Sequence, residues 1–300
     1  MRARLEGEII RLMPERYLLY IDILGFEDLV RKDPEKVDDL YQIIASLGAH
    51  SHWGFSVVGF SDTILVHNTF VPSTAHEHAY VIMYCCEFAQ ELLYRLAGRK
   101  LFFRAVLTYG KFEHYLLNEQ HYYYGPALID CYRAEKEFKV TGLLMDDKCA
   151  RDRQVFSVRQ YAPNWNYVFL TRGLDTYEDE WLGMCPLEMI VLADTGLASL
   201  IGPELETLHN SLLLARNHPD EHIRLKYKNT LTQYRIRYPK VFAALEPHDL
   251  LMEQVNTAFD WSTIRAQLNE SYAFASIRTD PRPGTTGRAR PAEGEQDSNS

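Results

Sequence analysis

Residues 17–26 read Tyr17-Leu18-Leu19-Tyr20-Ile21-Asp22-Ile23-Leu24-Gly25-Phe26, an apolar run with one carboxylate in its middle. Apolar side chains at consecutive rather than alternate positions describe a central strand covered on both faces. An unpaired carboxylate buried in such a strand costs several kcal/mol, so Asp22 must be protonated, paired with a base, or bound to a metal ion. Protonation leaves the strand weakened, and the run holds no Lys or Arg to serve as the base. A metal site at the strand's end, where Gly25-Phe26 interrupts the run, is one reading. A satisfied structural aspartate is the other.

Working outward from this strand, residues 26–31 form a short helix, and Asp33-Pro34 starts a second with Leu40, Ile43, Ile44 and Leu47 on its apolar face. Gly48 closes it. Residues 55–60 and 63–67 are strands joined by the two-residue connection Ser61-Asp62, a β-hairpin. Thr74 and Glu77 have capping-box spacing and open a long helix that ends at Gly98. Residues 101–108 and 111–117 are expected to form a second hairpin about Tyr109-Gly110. A turn over residues 122–126, a helix over 127–138 and a short strand over 143–145 follow. This order makes an α+β fold, a mixed sheet with helices on one face in the manner of ferredoxin-like and palm-type domains.

That domain is expected to occupy residues 1–150. Residues 151–278 form a mixed and then helical C-terminal region, with helix over 204–236 interrupted at Asn217-His218-Pro219. Residues 279–300, rich in Pro, Gly, Ser, Arg and Glu, are expected to be disordered.

The chain has 300 residues, 46% hydrophobic, with a formal net charge of −9 and no basic block before the tail. That balance argues against a general nucleic-acid binder and leaves room for a single nucleotide. The five cysteines are odd in number and lack CxxC spacing, which argues against zinc and against a disulfide framework and fits a reducing compartment. No apolar run reaches the roughly 18 residues of a membrane span, and the first residues lack a signal-peptide layout. A cytoplasmic protein is expected.

Asp62 has a structural reading of its own, since Asp is a favoured turn residue. Paired with Asp22 it acquires another. If the hairpin lies beside the first strand, both carboxylates converge at the strand's end and offer hard oxygen ligands to Mg²⁺ or Mn²⁺.

At this point the sequence resembles the class III nucleotide cyclases. Ile21-Asp22-Ile23-Leu24-Gly25-Phe26 resembles their metal-binding first strand, and Gly59-Phe60-Ser61-Asp62-Thr63 the hairpin with the second metal aspartate. Phe103 to Gly110 resembles a later strand. Tyr124-Gly125-Pro126-Ala127 followed by Arg133 resembles the turn and helix carrying a phosphate-stabilising arginine. Four segments in the family's order span residues 17–138. Where purine cyclases carry polar base readers this chain has Val58 and Tyr122, and where they carry a ribose-orienting Asn it has Ile129, with Asp130 beside it. These departures are similar to the bacterial branch that makes cyclic UMP or cyclic CMP in the Pycsar anti-phage defence system.

The resemblance implies a homodimer with interfacial active sites, each binding a pyrimidine nucleoside triphosphate and two Mn²⁺ or Mg²⁺ ions. Asp22, Asp62 and the Ile23 carbonyl would hold the ions, and backbone N–H groups at Gly25 and Phe26 would meet the β- and γ-phosphates. Arg133 would stabilise the α-phosphate in the transition state. Arg104 would contact phosphate or sit in a structural ion pair. Val58, Phe60 and Tyr122 would wall the base, favouring a pyrimidine by shape. UTP is expected over CTP on family grounds. The product would act on a separate cyclic-nucleotide-binding effector, with no direct nucleic-acid or membrane partner. A cyclase-like module that binds a nucleotide without turning it over is the alternative.

Overall fold

A computed structural model describes residues 13–48, 52–153, 155–178 and 195–269. Seven strands form one sheet in the order β2-β3-β1-β4-β7-β9-β8, and β5 and β6 form a separate hairpin. The strands are β1 (Glu15–Leu24), β2 (Phe55–Phe60), β3 (Thr63–Asn68), β4 (Phe102–Lys111), β5 (Glu113–Leu117), β6 (Gln120–Tyr124), β7 (Gly142–Asp146), β8 (Val158–Ala162) and β9 (Trp165–Val168). The helices are α1 (Phe26–Lys32), α2 (Pro34–Ser46), α3 (Ala75–Ala97), α4 (Pro126–Glu137), α5 (Asp147–Arg151), α6 (Arg172–Thr176), α7 (Thr195–Asn217), α8 (Glu221–Arg237), α9 (Pro239–Leu245) and α10 (Ser262–Asn269).

β1 lies inside the sheet, antiparallel to both β3 and β4, with Asp22 opposite Thr63 on one side and Arg104 on the other. Its alternate side chains enter two different cores. Tyr17, Leu19, Ile21 and Ile23 pack with α1, α2 and α3, while Leu18 and Tyr20 pack with α4, α7 and α8. Helices therefore cover both faces, where the order of elements had implied one. The reason is in β1 itself, whose apolar residues at both parities leave no face for water.

The first hairpin and the helix capped by Thr74 and Glu77 form where expected, with both halves of the capping box present. The second hairpin does not. Residues Tyr109 and Gly110 continue β4 and pair with Tyr17 and Arg16 of β1. A Cβ on Gly110 would meet Ala127 of α4 at 3.5 Å, an ordinary contact, so neither a turn nor close packing requires a glycine here. The hairpin is instead β5–β6, and Tyr122 to Tyr124 are strand. Its turn is Asn118-Glu119, with φ of 50° and 63°, the double left-handed geometry of a tight hairpin.

Residue 150 falls inside α5, and the sheet runs on beyond it through β9 and β8, which the sequence left unread. α7 and α8 then return across the sheet face that carries Leu18, Val106, Leu144 and Tyr167. The break between them comes at the expected Asn217-His218-Pro219, where Asp220 caps α8 through the His222 N–H. The tail over 279–300 and Cys185 lie outside the described residues. The other four cysteines are buried free thiols.

Candidate active site

β1 ends at Gly25, whose φ of 80° turns the chain into α1. A side chain is strained in that conformation, which is why the apolar run stops at a glycine. The β2–β3 hairpin is tied beside this end by two bonds. The Ile23 N–H donates to the Asp62 carbonyl at 2.9 Å, and the Tyr41 hydroxyl of α2 donates to the Ser61 carbonyl at 3.2 Å. Asp22 and Asp62 consequently face one cavity of about 430 Å³, which Ile23, Gly25, Phe26 and Arg104 also line. The N–H and C=O of one extended residue leave a strand on the same side, so the Ile23 carbonyl faces the hairpin tip as its N–H does.

The electrostatics of Asp22 reflect burial and three neighbours. Burial pushes its carboxyl up, Arg104 opposes that shift, Asp62 adds to it, and Lys226 also opposes it. Arg104 lies opposite Asp22 in the ladder, with its guanidinium 3.5 Å from the carboxylate. Its nearer partner is Glu135 of α4, and it also donates to the Phe138 carbonyl at 3.2 Å. The side chains of Arg104 and Glu135 are each 8% exposed. The base absent from the apolar run thus comes from the adjacent strand, and Arg104 is part of a buried ion-pair cluster at the back of the cavity. Burial lowers its pKa, with Asp22 the largest influence raising it.

Among the described residues no group of three or more His, Cys, Asp or Glu side chains is placed to hold a metal ion. The candidate ligands here number two carboxylates and one backbone carbonyl. That set fits Mg²⁺ or Mn²⁺, which take hard oxygen donors and complete their shells with water and substrate phosphates. The raised Asp22 carboxyl beside a second carboxylate fits as well, because a cation offsets the repulsion between them.

The other expected residues lie elsewhere in the chain. Val58 is half-buried on β2, and Phe60 is 79% exposed beside the hairpin tip. Tyr122 is on β6, stacked on Tyr115 with its hydroxyl donating to Gln120. Arg133 is exposed on α4 and lines a different cavity, with Thr108, Asp130, Asp146 and Trp165. Ile129, one turn before it, is 52% exposed. A single chain brings together Asp22, Ile23, Gly25, Phe26, Asp62 and Arg104, and leaves Val58, Phe60, Tyr122 and Arg133 outside that cavity.

Glu135 and Lys226 at the site were missed in the sequence. Glu135 had no signal beyond its place on an amphipathic helix. Lys226 of α8 lines the Asp22–Asp62 cavity from the C-terminal region. A lysine in a charged helix so far along the chain gives no local sign of where it lands.

No family model matches this chain, and no curated protein matches it. Solved structures similar to it are adenylyl and guanylyl cyclases. The adenylyl cyclase CyaB from P. aeruginosa is 12% identical, with a TM-score of 0.40 over 52% of this chain and 93% of its own. A bacterial light-regulated adenylyl cyclase is 17% identical, with a TM-score of 0.41 over 52% of this chain and 52% of its own. The monomeric guanylyl cyclase domain of the RhoGC fusion protein from the aquatic fungus Blastocladiella emersonii is 13% identical, with a TM-score of 0.42 over 52% of this chain and 95% of its own. Likenesses at this level assign neither substrate nor chemistry.

Proposed function

We propose that this protein is a metal-dependent nucleotide cyclase that converts a pyrimidine nucleoside triphosphate, UTP before CTP, to its 3′,5′-cyclic monophosphate and pyrophosphate. The observation that carries this is the convergence of Asp22 and Asp62 beside the Ile23 carbonyl at the rim of one cavity. Asp22, Asp62 and Ile23 hold two divalent cations, Mn²⁺ or Mg²⁺. Once bound, these supply Lewis-acid activation of the ribose 3′-hydroxyl and offset charge at the α-phosphate. The hairpin bonds from Ile23 and Tyr41 keep the two carboxylates in register with each other. Gly25 and Phe26 present backbone N–H groups at the mouth, towards the β- and γ-phosphates.

Arg133 acts from the partner subunit of a homodimer, since in its own chain it lines a different cavity. It steadies the α-phosphate as charge develops there. Val58, Phe60 and Tyr122 give the base an apolar and aromatic wall without the polar groups that read a purine edge. The cyclic product serves as a messenger in anti-phage defence and is read by a separate effector. Among the described residues no helix is long and apolar enough to cross a membrane.

One observation favours a second reading, a module that binds nucleotide without turnover. Arg104 stands 3.5 Å from Asp22 and can balance its charge without a metal ion. Turnover assays with ATP, GTP, CTP and UTP separately, in Mn²⁺ and in Mg²⁺, decide between the two. A cyclic pyrimidine product, identified by mass and lost in Asp62→Ala, is the expected result. A folded, metal-replete protein that binds a nucleotide and yields no cyclic product would establish the second reading.

A further inference from the structure

The C-terminal helices have no part in the chemistry so far, yet one of them reaches the cavity. α8 is fixed against the end of the sheet where Asp22 and Arg104 lie. Tyr227 packs edge-on against Phe102, with ring centroids 4.9 Å apart. Asn229 donates to the Lys139 carbonyl at 2.9 Å, and the Thr230 hydroxyl accepts the Thr141 N–H at 2.8 Å. These anchors fall within one turn of helix, immediately after Lys226, so the direction of that lysine is set by the docking of α8. Lys226 lines the same cavity as Asp22 and Asp62.

The remaining charges of the cavity are already engaged. Arg104 is held by Glu135 and Asp22. At the rim, Glu27 pairs with Arg31 and Asp28 with Lys32 along α1. Among the described residues the Lys226 ammonium has no hydrogen bond or ion pair. We infer that Lys226 is a phosphate-binding residue of this site, so that the C-terminal helices complete the catalytic cavity. The inference rests on reading the cavity as a nucleoside triphosphate site and adds the group that takes the outer phosphates.

An ammonium is a compact point charge with three donors, suited to phosphate oxygens that leave as pyrophosphate. The two carboxylates are occupied with divalent cations when the site is loaded, so Lys226 is left to the substrate. Burial, Arg104 and Lys139 lower its pKa in the free protein, and Asp22 and Asp220 oppose that shift. An arriving polyphosphate favours the charged form.

The test is calorimetric titration of the full chain with three probes: Mn²⁺ alone, inorganic pyrophosphate with Mn²⁺, and the non-cyclisable α,β-methylene analogue of UTP with Mn²⁺. Lys226→Met keeps an unbranched aliphatic stem without the charge, and thermal melting checks that the variant is folded. The expected result is roughly ten- to a hundredfold weaker binding of pyrophosphate and of the UTP analogue. Mn²⁺ alone should bind no more weakly than to the parent protein, and Lys226→Arg should recover most of the lost affinity. Unchanged pyrophosphate and analogue binding in Lys226→Met, with Mn²⁺ binding lost in Asp62→Ala, would overturn the role of Lys226 and leave the cavity reading intact. Binding of Mn²⁺ and the analogue that neither variant disturbs would sink both.

Discussion

Two interior carboxylates of this protein, Glu204 and Asp22, are surrounded in opposite ways. Glu204, on α7, is fully buried. One of its oxygens accepts from the Tyr94 hydroxyl at 2.5 Å and the Gly173 N–H at 2.9 Å, and the other from the Leu174 N–H at 2.8 Å. Those N–H groups open α6 and have no partner within the helix, so Glu204 joins α3, α6 and α7 through donors that need an acceptor. Asp22 has one guanidinium at 3.5 Å, a second carboxylate across the cavity, and a side chain still 20% exposed. Burial raises both carboxyls, Glu204 to about 8 against the pull of its three donors. Desolvation alone therefore does not separate structure from site. A carboxylate met by neutral donors on all sides holds the fold together, whereas one set against another carboxylate at an opening is arranged for a cation.

The largest expected effect tests the functional half of that contrast. Asp22→Asn should lower cyclase turnover about a thousandfold or more. Its melting temperature without metal should stay level or rise, because the substitution removes a charge that the cavity disfavours. A fall of several degrees would instead show that the Arg104 pair is what holds this end of the sheet.

Glu204→Ala should do the reverse. It leaves two N–H groups and a hydroxyl buried without an acceptor, costing roughly 3 kcal/mol in denaturant titrations. Activity per folded molecule should remain close to that of the parent. Loss of activity at full stability would move Glu204 from scaffold to site.

Proton linkage gives a smaller, signed effect. The folded-state Glu204 carboxyl lies at about 8, above the ordinary 4.5, so the folded protein holds its proton where the unfolded chain has lost it. Stability should fall as pH rises from about 4.5 to about 8 and then level off as far as this group is concerned. Glu204→Gln should flatten that slope. Asp22 adds a share of the same sign, which saturating Mn²⁺ should remove because the ion favours the ionised carboxylate. A slope that Mn²⁺ leaves unchanged would argue against Asp22 as a ligand. Smallest of all, Tyr94→Phe should cost about 1 kcal/mol and shift the Glu204 midpoint further up, since it removes one of the three donors.

How far the chain could be read in advance follows the range of each interaction. The hairpin at Ser61-Asp62, the cap at Thr74 and the break at Pro219 rest on neighbours within a few residues and stand. The strand read over 17–26 forms over Glu15–Leu24, giving Gly25 to a turn and Phe26 to α1. Gly110 misled because a glycine can also stand inside a strand, and nothing local says that it will pair with Arg16 of β1. β8 and β9 were missed because short strands with mixed polarity take their identity from the sheet they join. Within the candidate site, Asp22, Asp62, Ile23 and Gly25 were legible as motifs. Arg104 was legible as a candidate but its partners were not, and Glu135 and Lys226 were not legible at all, because strand register and helix docking place them.

The sequence by itself determined that β1 is an interior strand with apolar residues at both parities, that a carboxylate stands in it, and that a hairpin carries a second one. These follow from periodicity and turn chemistry, which act between adjacent residues. Only the tertiary structure decided that Arg104 stands behind Asp22 with Glu135 as its nearer partner, that Arg133 lines a separate cavity, and that a C-terminal helix delivers Lys226. Each of these depends on which surfaces meet once apolar faces are buried, and burial fixes neighbours without regard to their distance along the chain.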